Sequence, residues 1–346
     1  MITPSPTSLQ HDDWQKQLAQ AISDPAELIK ALGLPENLIE GALRASETFP
    51  LRVTRHYLSL IQPGDPDDPL LRQILPLDTE THSTAGFSTD PVGDHSAALG
   101  AGVLHKYQGR ALLITTGACA IHCRYCFRRH YPYSQDNAVR HWDDMLRTLR
   151  EQSQIDEVIL SGGDPLSLSD CRLRQLVEEL ETIDHIKRLR IHTRLPIVLP
   201  TRITTDLLEL LSDTRLSCSM VLHCNHPDEL AAPLRTQLVK LRSAEVTLLN
   251  QAVLLKGVND NLETQAALSE RLFEFGILPY YLHLLDPVAG AAHFAVPDDL
   301  PGQIQAGLEA RLPGYLVPKI VREVSGSASK TPIHRLHSPD TFALDG

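Results

Sequence analysis

Short apolar segments alternate with amphipathic helical patterns through the central two thirds of the chain. Six of these segments have the length and composition of buried strands, and each is followed by a loop rich in Gly, Pro, Asn or Asp. An alternation of this kind predicts repeated βα units and a parallel sheet. The predicted strands are residues 111–115, 157–161, 188–193, 217–222, 247–253 and 280–284.

Helical stretches at residues 173–181, 205–211 and 263–275 follow three of the strands. Six units of this type predict an α/β fold with a (β/α)6 TIM-like barrel, either partial or complete. In such barrels the functional residues lie at the carboxyl ends of the strands. The loops that follow the predicted strands are therefore where chemistry is expected.

The first hundred residues have a different pattern. Asp24 and Pro25 are typical of a helix start, with Gly33 and Pro35 as its end, and amphipathic stretches follow at residues 37–46 and 51–61. Residues 78–101 are polar and aperiodic, which predicts an extended connection. We therefore predict a helical N-terminal region with a linker over 1–100, a barrel core over 101–290 and a C-terminal segment over 291–346.

Composition and charge narrow the class of protein. Hydrophobic residues make up 42% of the 346 residues and charged residues 22%, as in soluble globular proteins. The apolar runs are far shorter than the roughly 20 residues of a membrane span, and the N-terminus has no signal-peptide pattern. We expect a cytoplasmic protein that does not bind membranes, and a net charge of −11 argues against nucleic acid as a partner.

Cys119, Cys123 and Cys126 place three thiols within eight residues, directly after the first predicted strand. Three thiolates on a [4Fe–4S] cluster leave one iron open to another ligand, and S-adenosylmethionine can chelate such an iron. The alternatives are a zinc site with His122 or His130 as fourth ligand, or ordinary buried cysteines. The spacing favours the cluster, because no second pair of ligands with zinc-finger spacing is present.

The CxxxCxxC motif followed by Phe127, Arg128 and Arg129 resembles the radical S-adenosylmethionine (radical SAM) superfamily, and specifically the lysine 2,3-aminomutase family. The resemblance extends from about residue 105 to residue 332. It implies the radical SAM type of partial barrel and three cofactors: a [4Fe–4S] cluster, S-adenosylmethionine and pyridoxal 5′-phosphate. It also implies an isomerase that converts L-α-lysine to (R)-β-lysine.

The same resemblance assigns residues to S-adenosylmethionine. Gly162, Gly163 and Asp164 follow the second strand and are similar to the segment that lines the methionine amino group in this family. His223 follows the fourth strand and Gln251 lies in the fifth, and both match residues that hydrogen-bond this cofactor. The alternative for Gly162, Gly163 and Asp164 is a plain tight turn, and the alternative for His223 is a histidine of the core.

A run of small residues precedes Lys330, which resembles the family's lysine that binds pyridoxal 5′-phosphate through its amine. This segment does not match a Walker phosphate loop, because that motif requires glycines where this chain has Val324 and Ser329. Tyr107 and Arg110 match family positions that contact the coenzyme. An arginine suits a phosphate because its planar fork donates paired hydrogen bonds.

The family resemblance also assigns the substrate contacts. Arg128 matches the arginine that binds the substrate carboxylate, and Asp286 and Glu323 match the two acids that receive the ε-ammonium of lysine. Two acids for a distal ammonium favour lysine over other amino acids. Two positions depart from the family pattern: Glu323 where aspartate is typical, and His283 where clostridial members have tyrosine.

The short chain resembles the bacterial branch of the family that makes β-lysine for the modification of translation elongation factor P. This implies a functional link to elongation factor P and its lysyl-transferring ligase, and an external electron donor such as flavodoxin or ferredoxin. A homo-oligomer is compatible with the sequence. The rival functions are an aminomutase for arginine or glutamate, and a zinc-binding protein without catalysis.

Overall fold

The computed structural model of the chain describes residues 6–134 and 137–336. Within them one mixed sheet has its ten strands in the same order as the chain. The strands are β1 Ala98–Gly100, β2 Val103–Tyr107, β3 Arg110–Thr116, β4 Glu157–Gly162, β5 Arg188–Thr193, β6 Ser217–Leu222, β7 Thr247–Leu254, β8 Leu278–Leu284, β9 Lys319–Arg322 and β10 Thr331–Pro332.

Strands β3 to β9 are parallel, and short antiparallel strands extend both edges of the sheet. All six predicted strands are present to within two residues at each end, so the partial-barrel fold class is confirmed. The sequence analysis missed β9, a seventh parallel strand of only four residues. Strands β9 and β10 belong to the same sheet, so the sheet continues past residue 290 without a break. The domain boundary predicted at that residue stays a prediction.

The helices pack around the sheet and connect its strands. In the described residues they are α1 Pro6–Ala19, α2 Pro25–Ala31, α3 Leu38–Thr48, α4 Arg55–Leu58, α5 Pro69–Arg72, α6 Trp142–Glu151, α7 Asp170–Glu181, α8 Leu195–Val198, α9 Thr205–Asp213, α10 Ala232–Ser243, α11 Leu262–Glu274, α12 Leu300–Arg311 and α13 Ile333–Leu336. None of the helices in the described ranges is both long and apolar enough to cross a bilayer.

Local sequence accounts for most helix starts. The side chains of Asp24, Ser169, Thr204 and Asn261 each accept a hydrogen bond from a backbone N–H in the first turn of α2, α7, α9 and α11. The helix expected over residues 51–61 is shorter than predicted and is reduced to α4. Residues 78–101 are largely irregular, as predicted, but two of their acidic side chains, Glu80 and Asp94, are buried beside the site described below.

The hydrophobic core lies between the sheet and the surrounding helices. Residues of β4 are buried along the whole strand, as expected for a parallel strand covered on both faces. Leu173, Leu176 and Leu180 recur at helical spacing on α7 and are buried against it. The inner face of the curved sheet carries polar side chains instead, and these line a cavity.

Candidate active site

A single cavity of about 470 Å³ occupies the inside of the curved sheet, a volume typical of small-molecule sites. The loop after β3, with the three cysteines, lines one end. Lys330 and the acids near it line the other. All fourteen residues that the sequence analysis assigned to metal, cofactors or substrate line this cavity, so the structure brings the whole predicted site together.

Gly162 and Gly163 hold the end of β4 against the first residues of the cysteine loop. The backbone N–H of Gly163 donates to Thr116 O at 2.7 Å, and a Cβ on Gly163 would lie 2.5 Å from Ala118 O. Gly162 has a φ of +118°, a conformation that only glycine adopts without strain. The two glycines are therefore needed for the contact between strand and loop, independently of their predicted role in binding S-adenosylmethionine.

The carboxylate of Asp164 is engaged within the protein. Its Oδ1 accepts from Leu166 N at 3.0 Å and Thr193 Oγ1 at 2.7 Å, and its Oδ2 accepts from Arg194 N at 2.8 Å and Leu195 N at 3.0 Å. Burial raises the pKa of Asp164, while these four hydrogen bonds oppose that rise. The side chain joins the ends of β4 and β5. Its predicted contact with a cofactor is therefore supported by its position at the cavity, since both carboxylate oxygens already accept hydrogen bonds from the protein.

The N-terminal region anchors the cysteine loop from outside the sheet. Buried Glu80 accepts from Arg124 Nη2 at 2.6 Å and Arg129 Nη2 at 2.8 Å, two arginines that lie within and just after the CxxxCxxC motif. His122 N donates to Arg52 O at 2.9 Å. Sequence reasoning missed Glu80, because its partners lie more than forty residues away and its segment has no periodic pattern.

The environment of the thiols suits ligands that become anionic only with a metal. Burial, together with the neighbouring thiols, raises the pKa of Cys126 to about 11, and burial raises that of Cys119 as well. A bound metal cation favours the thiolate form and overcomes this effect. No three His, Cys, Asp or Glu side chains in the described part of the chain are arranged around one metal ion. A [4Fe–4S] cluster takes each of its thiolates on a different iron.

Two of the predicted S-adenosylmethionine contacts have buried polar atoms without a protein partner: His223 Nε2 and Gln251 Oε1. Burial lowers the pKa of His223 to about 4, and nearby cations add to this effect, so the imidazole is neutral. A buried polar atom without a partner costs about 1–3 kcal/mol. A ligand that bonds these two atoms would remove that cost, which fits their predicted role.

His192 and His283 share these properties and were not assigned by the sequence analysis. Both line the cavity, both have an unpartnered buried Nε2, and burial lowers the pKa of each well below the usual value for histidine. They stand on β5 and β8, the two strands that flank β6 and β7 in the sheet. The sequence signal that could have identified them is their position along the strands, since every second residue of a barrel strand faces inward.

At the opposite end of the cavity, Lys330 and Glu323 form a close ion pair. Lys330 Nζ lies 2.8 Å from Glu323 Oε2, and Tyr107 donates its hydroxyl to Glu323 Oε1 at 2.7 Å. Burial favours the neutral acid, but Lys330 and Tyr107 hold the pKa of Glu323 below its usual value. An acid predicted to receive the substrate ammonium is thus already ionised and paired with the predicted coenzyme lysine.

Asp286 is the counterpart without a partner. Its Oδ1 is buried and makes no hydrogen bond to any of the described residues, and burial raises the pKa of this carboxyl group to about 7. Lys330 acts against the rise and Glu323 adds to it. An ammonium group placed here would stabilise the ionised acid directly.

The predicted carboxylate-binding residue is fixed by two neighbours. Arg128 Nε donates to Asp94 Oδ2 at 2.7 Å and its Nη1 donates to Ser161 Oγ at 3.0 Å. Asp94 also pairs with Lys106 at 2.7 Å. Asp94 lies in the segment predicted as a connection, and no local pattern marked it as part of the site.

The predicted phosphate contact fits an anion. The guanidinium carbon of Arg110 lies 4.8 Å from the centre of the Tyr107 ring, and its Nε is buried without a partner. Arginine at such a position donates directional hydrogen bonds to phosphate oxygens. The cavity therefore combines three thiols, an arginine, a primary amine and a pair of acids.

Comparisons with known proteins point to one family. The family model described as "Radical SAM superfamily" matches residues 113–232. The chain is 48% identical to an L-lysine 2,3-aminomutase of Escherichia coli (strain K12) over 93% of this chain and 94% of the relative. It is 46% identical to an L-lysine 2,3-aminomutase of Haemophilus influenzae over 96% and 98%. A solved radical SAM methyltransferase from Sphaerobacter thermophilus, 18% identical, covers 65% of this chain and 71% of its own with a TM-score of 0.44.

Proposed function

This chain belongs to the lysine 2,3-aminomutase family of the radical SAM superfamily, and from that premise we propose that it moves the amino group of L-lysine from C2 to C3 to form (R)-β-lysine. The observation that carries the proposal is the joint presence of three cysteines and Lys330 on one cavity. A cluster site alone fits many radical enzymes. The added amine and acids are what an aminomutase for a basic amino acid requires.

The residues would divide the cofactors between the two ends of the cavity. Cys119, Cys123 and Cys126 would hold three irons of a [4Fe–4S] cluster, leaving the fourth to S-adenosylmethionine. His223 and Gln251 would bond polar groups of that cofactor through atoms that have no protein partner. When bound, cluster and S-adenosylmethionine supply a carbon radical that removes hydrogen from the substrate, and pyridoxal 5′-phosphate supplies the conjugated system for nitrogen migration.

At the other end, Lys330 would bind the coenzyme through its amine and Arg110 would bind the phosphate. Whenever Lys330 is not bound to the coenzyme, Glu323 would hold its free amine as an ammonium group, since Lys330 Nζ lies 2.8 Å from Glu323 Oε2. This ion pair would retain the displaced lysine within reach of the coenzyme. It would then be available to release the product at the end of each turnover.

Charge complementarity supports lysine as the substrate. Arg128 is held in place by Asp94 and Ser161 and would bind the carboxylate. Asp286 and Glu323 would bind the distal ammonium, and their two negative charges favour a cationic over an anionic side chain. This arrangement disfavours glutamate, whose side chain would meet two acids.

The proposal is tested with protein prepared and reconstituted without oxygen. Incubation with L-lysine, S-adenosylmethionine and a low-potential reductant should yield β-lysine, and chiral derivatisation should identify the R enantiomer. L-Arginine and L-glutamate in parallel should give at most a small fraction of that rate. Cys126→Ser should abolish turnover and lower the iron content, whereas Cys171→Ser, which removes an exposed cysteine on α7, should change neither. Zinc without inorganic sulfide in the wild-type protein would refute the proposal.

The cellular setting is a further part of the proposal. β-Lysine would be passed to the lysyl-transferring ligase that modifies elongation factor P, and electrons would come from a flavodoxin or a ferredoxin. A cytosolic location fits this setting, since three free ligand thiols persist where thiols are kept reduced. Loss of β-lysylated elongation factor P in a strain that lacks this protein, restored by added β-lysine, would support the link.

A further inference from the structure

Arg194 is a buried arginine that contacts the cysteine loop and has no assigned role. It follows β5 and precedes α8, and only 4% of it is exposed. Its Nη1 donates to Cys123 Sγ at 2.8 Å and to the hydroxyl of Tyr125 at 2.7 Å. Of the two residues contacted here, one is a predicted metal ligand and the other lies between two such ligands.

The other side of the same guanidinium is tied to a buried acid. Arg194 Nη2 donates to Glu229 Oε2 at 2.8 Å and to Gln73 Oε1 at 2.7 Å. Glu229 has no exposed surface and its Oε1 also accepts from the backbone N–H groups of Asn225 at 2.9 Å and His226 at 3.1 Å. One cation is thus held between one anion and one sulfur, and residues from four chain segments fix the arrangement.

We infer that Arg194 is a positioning residue that sets the reduction potential of the cluster bound through Cys123, and that Glu229 moderates its effect. This inference rests on the proposed function, because it requires the cluster. In the reduction, one electron leaves a low-potential one-electron reductant and enters the cluster, which passes from the 2+ to the 1+ state. The added negative charge is partly carried by the cysteine sulfurs, so a cation bonded to one of them favours the reduced state.

The position of Glu229 predicts a second effect of opposite sign. Its carboxylate opposes the field of Arg194 at the sulfur, and the low polarity of a buried site leaves this field poorly screened. Removing the negative charge of Glu229 while retaining Arg194 should make reduction easier. Removing the positive charge of Arg194 should make it harder. A purely structural network predicts no such reversal, because loss of either partner would loosen the same loop.

The experiment is a redox titration of the reconstituted holoprotein, followed by the electron paramagnetic resonance signal of the reduced cluster. Arg194→Gln should shift the midpoint potential to more negative values and Glu229→Gln to less negative values. A shift of 59 mV corresponds to a tenfold change in a one-electron equilibrium. Glu157→Gln is the matched control, since it also neutralises a buried acid paired with an arginine, Arg190, but lies at the far end of β4 from the cysteine loop. Its potential should equal that of the wild type.

Shifts of the same sign, or no shift, in Arg194→Gln and Glu229→Gln would overturn the inference. If Arg194→Gln does not retain iron, the sign of the shift in Glu229→Gln decides, with a less negative potential in support and any other result against. If neither variant retains iron, the network is structural and the inference fails. A wild-type protein without iron and sulfide would instead refute the proposed function, so the two failures are distinguishable.

Discussion

The two ends of the cavity are built in contrasting ways. At the cysteine end, meaning residues 117–129 with Gly162, Gly163 and Asp164, most polar groups have protein partners, and backbone hydrogen bonds join the loop to β4 and to the N-terminal region. At the lysine end, meaning Lys106, Tyr107, Asp286, Glu323 and Lys330, all side chains except that of Tyr107 are acids or amines. Within the described residues four of the five pair with one another, and a buried oxygen of Asp286 has no partner.

This difference matches what each end has to do. A cluster is bound once and must stay fixed, so its loop profits from a rigid scaffold. Under the proposed function the lysine end would exchange one amine for another in every turnover, so its charges would need alternative partners. The cysteine end should therefore respond to mutation through stability and iron content, and the lysine end through substrate affinity and rate.

Removal of the coenzyme lysine should have the largest effect. Lys330→Ala is expected to lower β-lysine formation by about 1,000-fold or more, on the scale seen for other residues of covalent catalysis. Pyridoxal absorbance should be lost after desalting, whereas iron and sulfide should stay at wild-type values. Lys330→Arg keeps the positive charge beside Glu323 and should be equally inactive, which separates the role of the amine from that of the charge. A parallel loss of iron would contradict the independence of the two ends.

Glu80→Gln should show the opposite profile. It leaves buried Arg124 and Arg129 without their shared counter-charge, a change that costs about 3–5 kcal/mol in comparable buried pairs. The free energy of unfolding in urea and the iron content should both fall. Glu27→Gln breaks an exposed ion pair with Arg55 and should cost about 0–1 kcal/mol. Equal effects of the two variants would show that the N-terminal anchor is unimportant.

Asp286→Asn should raise the KM for lysine by at least roughly 30-fold, because a buried charge pair with the substrate is lost. In the wild type, the pKa of about 7 means that the ionised acid accumulates as the pH rises through 7, so the KM for lysine should fall from about pH 6 to about pH 8. The variant should lack this part of the pH dependence. A KM that is unchanged in the variant would remove Asp286 from the substrate site.

The same residue makes a prediction about stability without ligands. Because the pKa of Asp286 is raised in the folded state, ionisation opposes folding: the cost is absent below the pKa of the unfolded chain, grows between the two values, and is complete above about pH 7. Asp286→Asn should therefore raise the free energy of unfolding at about pH 8 by roughly 1–4 kcal/mol. A thermal melt at about pH 4 serves as control, since the difference should nearly vanish there.

The smallest effect is expected for Tyr133→Phe. The Tyr133 hydroxyl donates to Gly162 O at 3.1 Å and is one of many bonds that hold the end of β4. Its loss should cost about 1 kcal/mol of stability and raise the KM for S-adenosylmethionine only a few-fold. Isothermal denaturation and a substrate titration measure the two quantities. A large rise in KM with unchanged stability would mean that the glycine segment is less rigid than its contacts indicate.

Much of the sheet and the position of the site could be predicted because both have local signals. Apolar runs of strand length identified the six central strands, and the spacing of Cys119, Cys123 and Cys126 marked the loop where the chemistry was expected. The resemblance to a family then added Lys330 and its acids, which share no local pattern with the cysteines. The structure brings these residues to one cavity, while their individual roles stay predictions.

The remaining features depend on contacts between distant segments. Glu80, Asp94 and Arg194 are polar residues in segments without a periodic pattern. Their importance comes from distant partners such as Arg129, Arg128 and Cys123, which lie 49, 34 and 71 residues away, respectively. Strand β9 is only four residues long, shorter than each of the six strands that the apolar runs identified. Asp164 differs from these residues, because a local motif did place it at the cavity. The motif did not show that its carboxylate joins β4 to β5.

The order of strands has a consequence for biosynthesis. Each strand pairs with the one made just before it, so a growing chain can extend the sheet one strand at a time. The loop with the three thiols and its anchor at Glu80 leave the ribosome about two hundred residues before the amine at position 330. Iron insertion therefore need not wait for the segment that accepts the vitamin-derived coenzyme, and maturation of the two prosthetic groups can proceed as separate events.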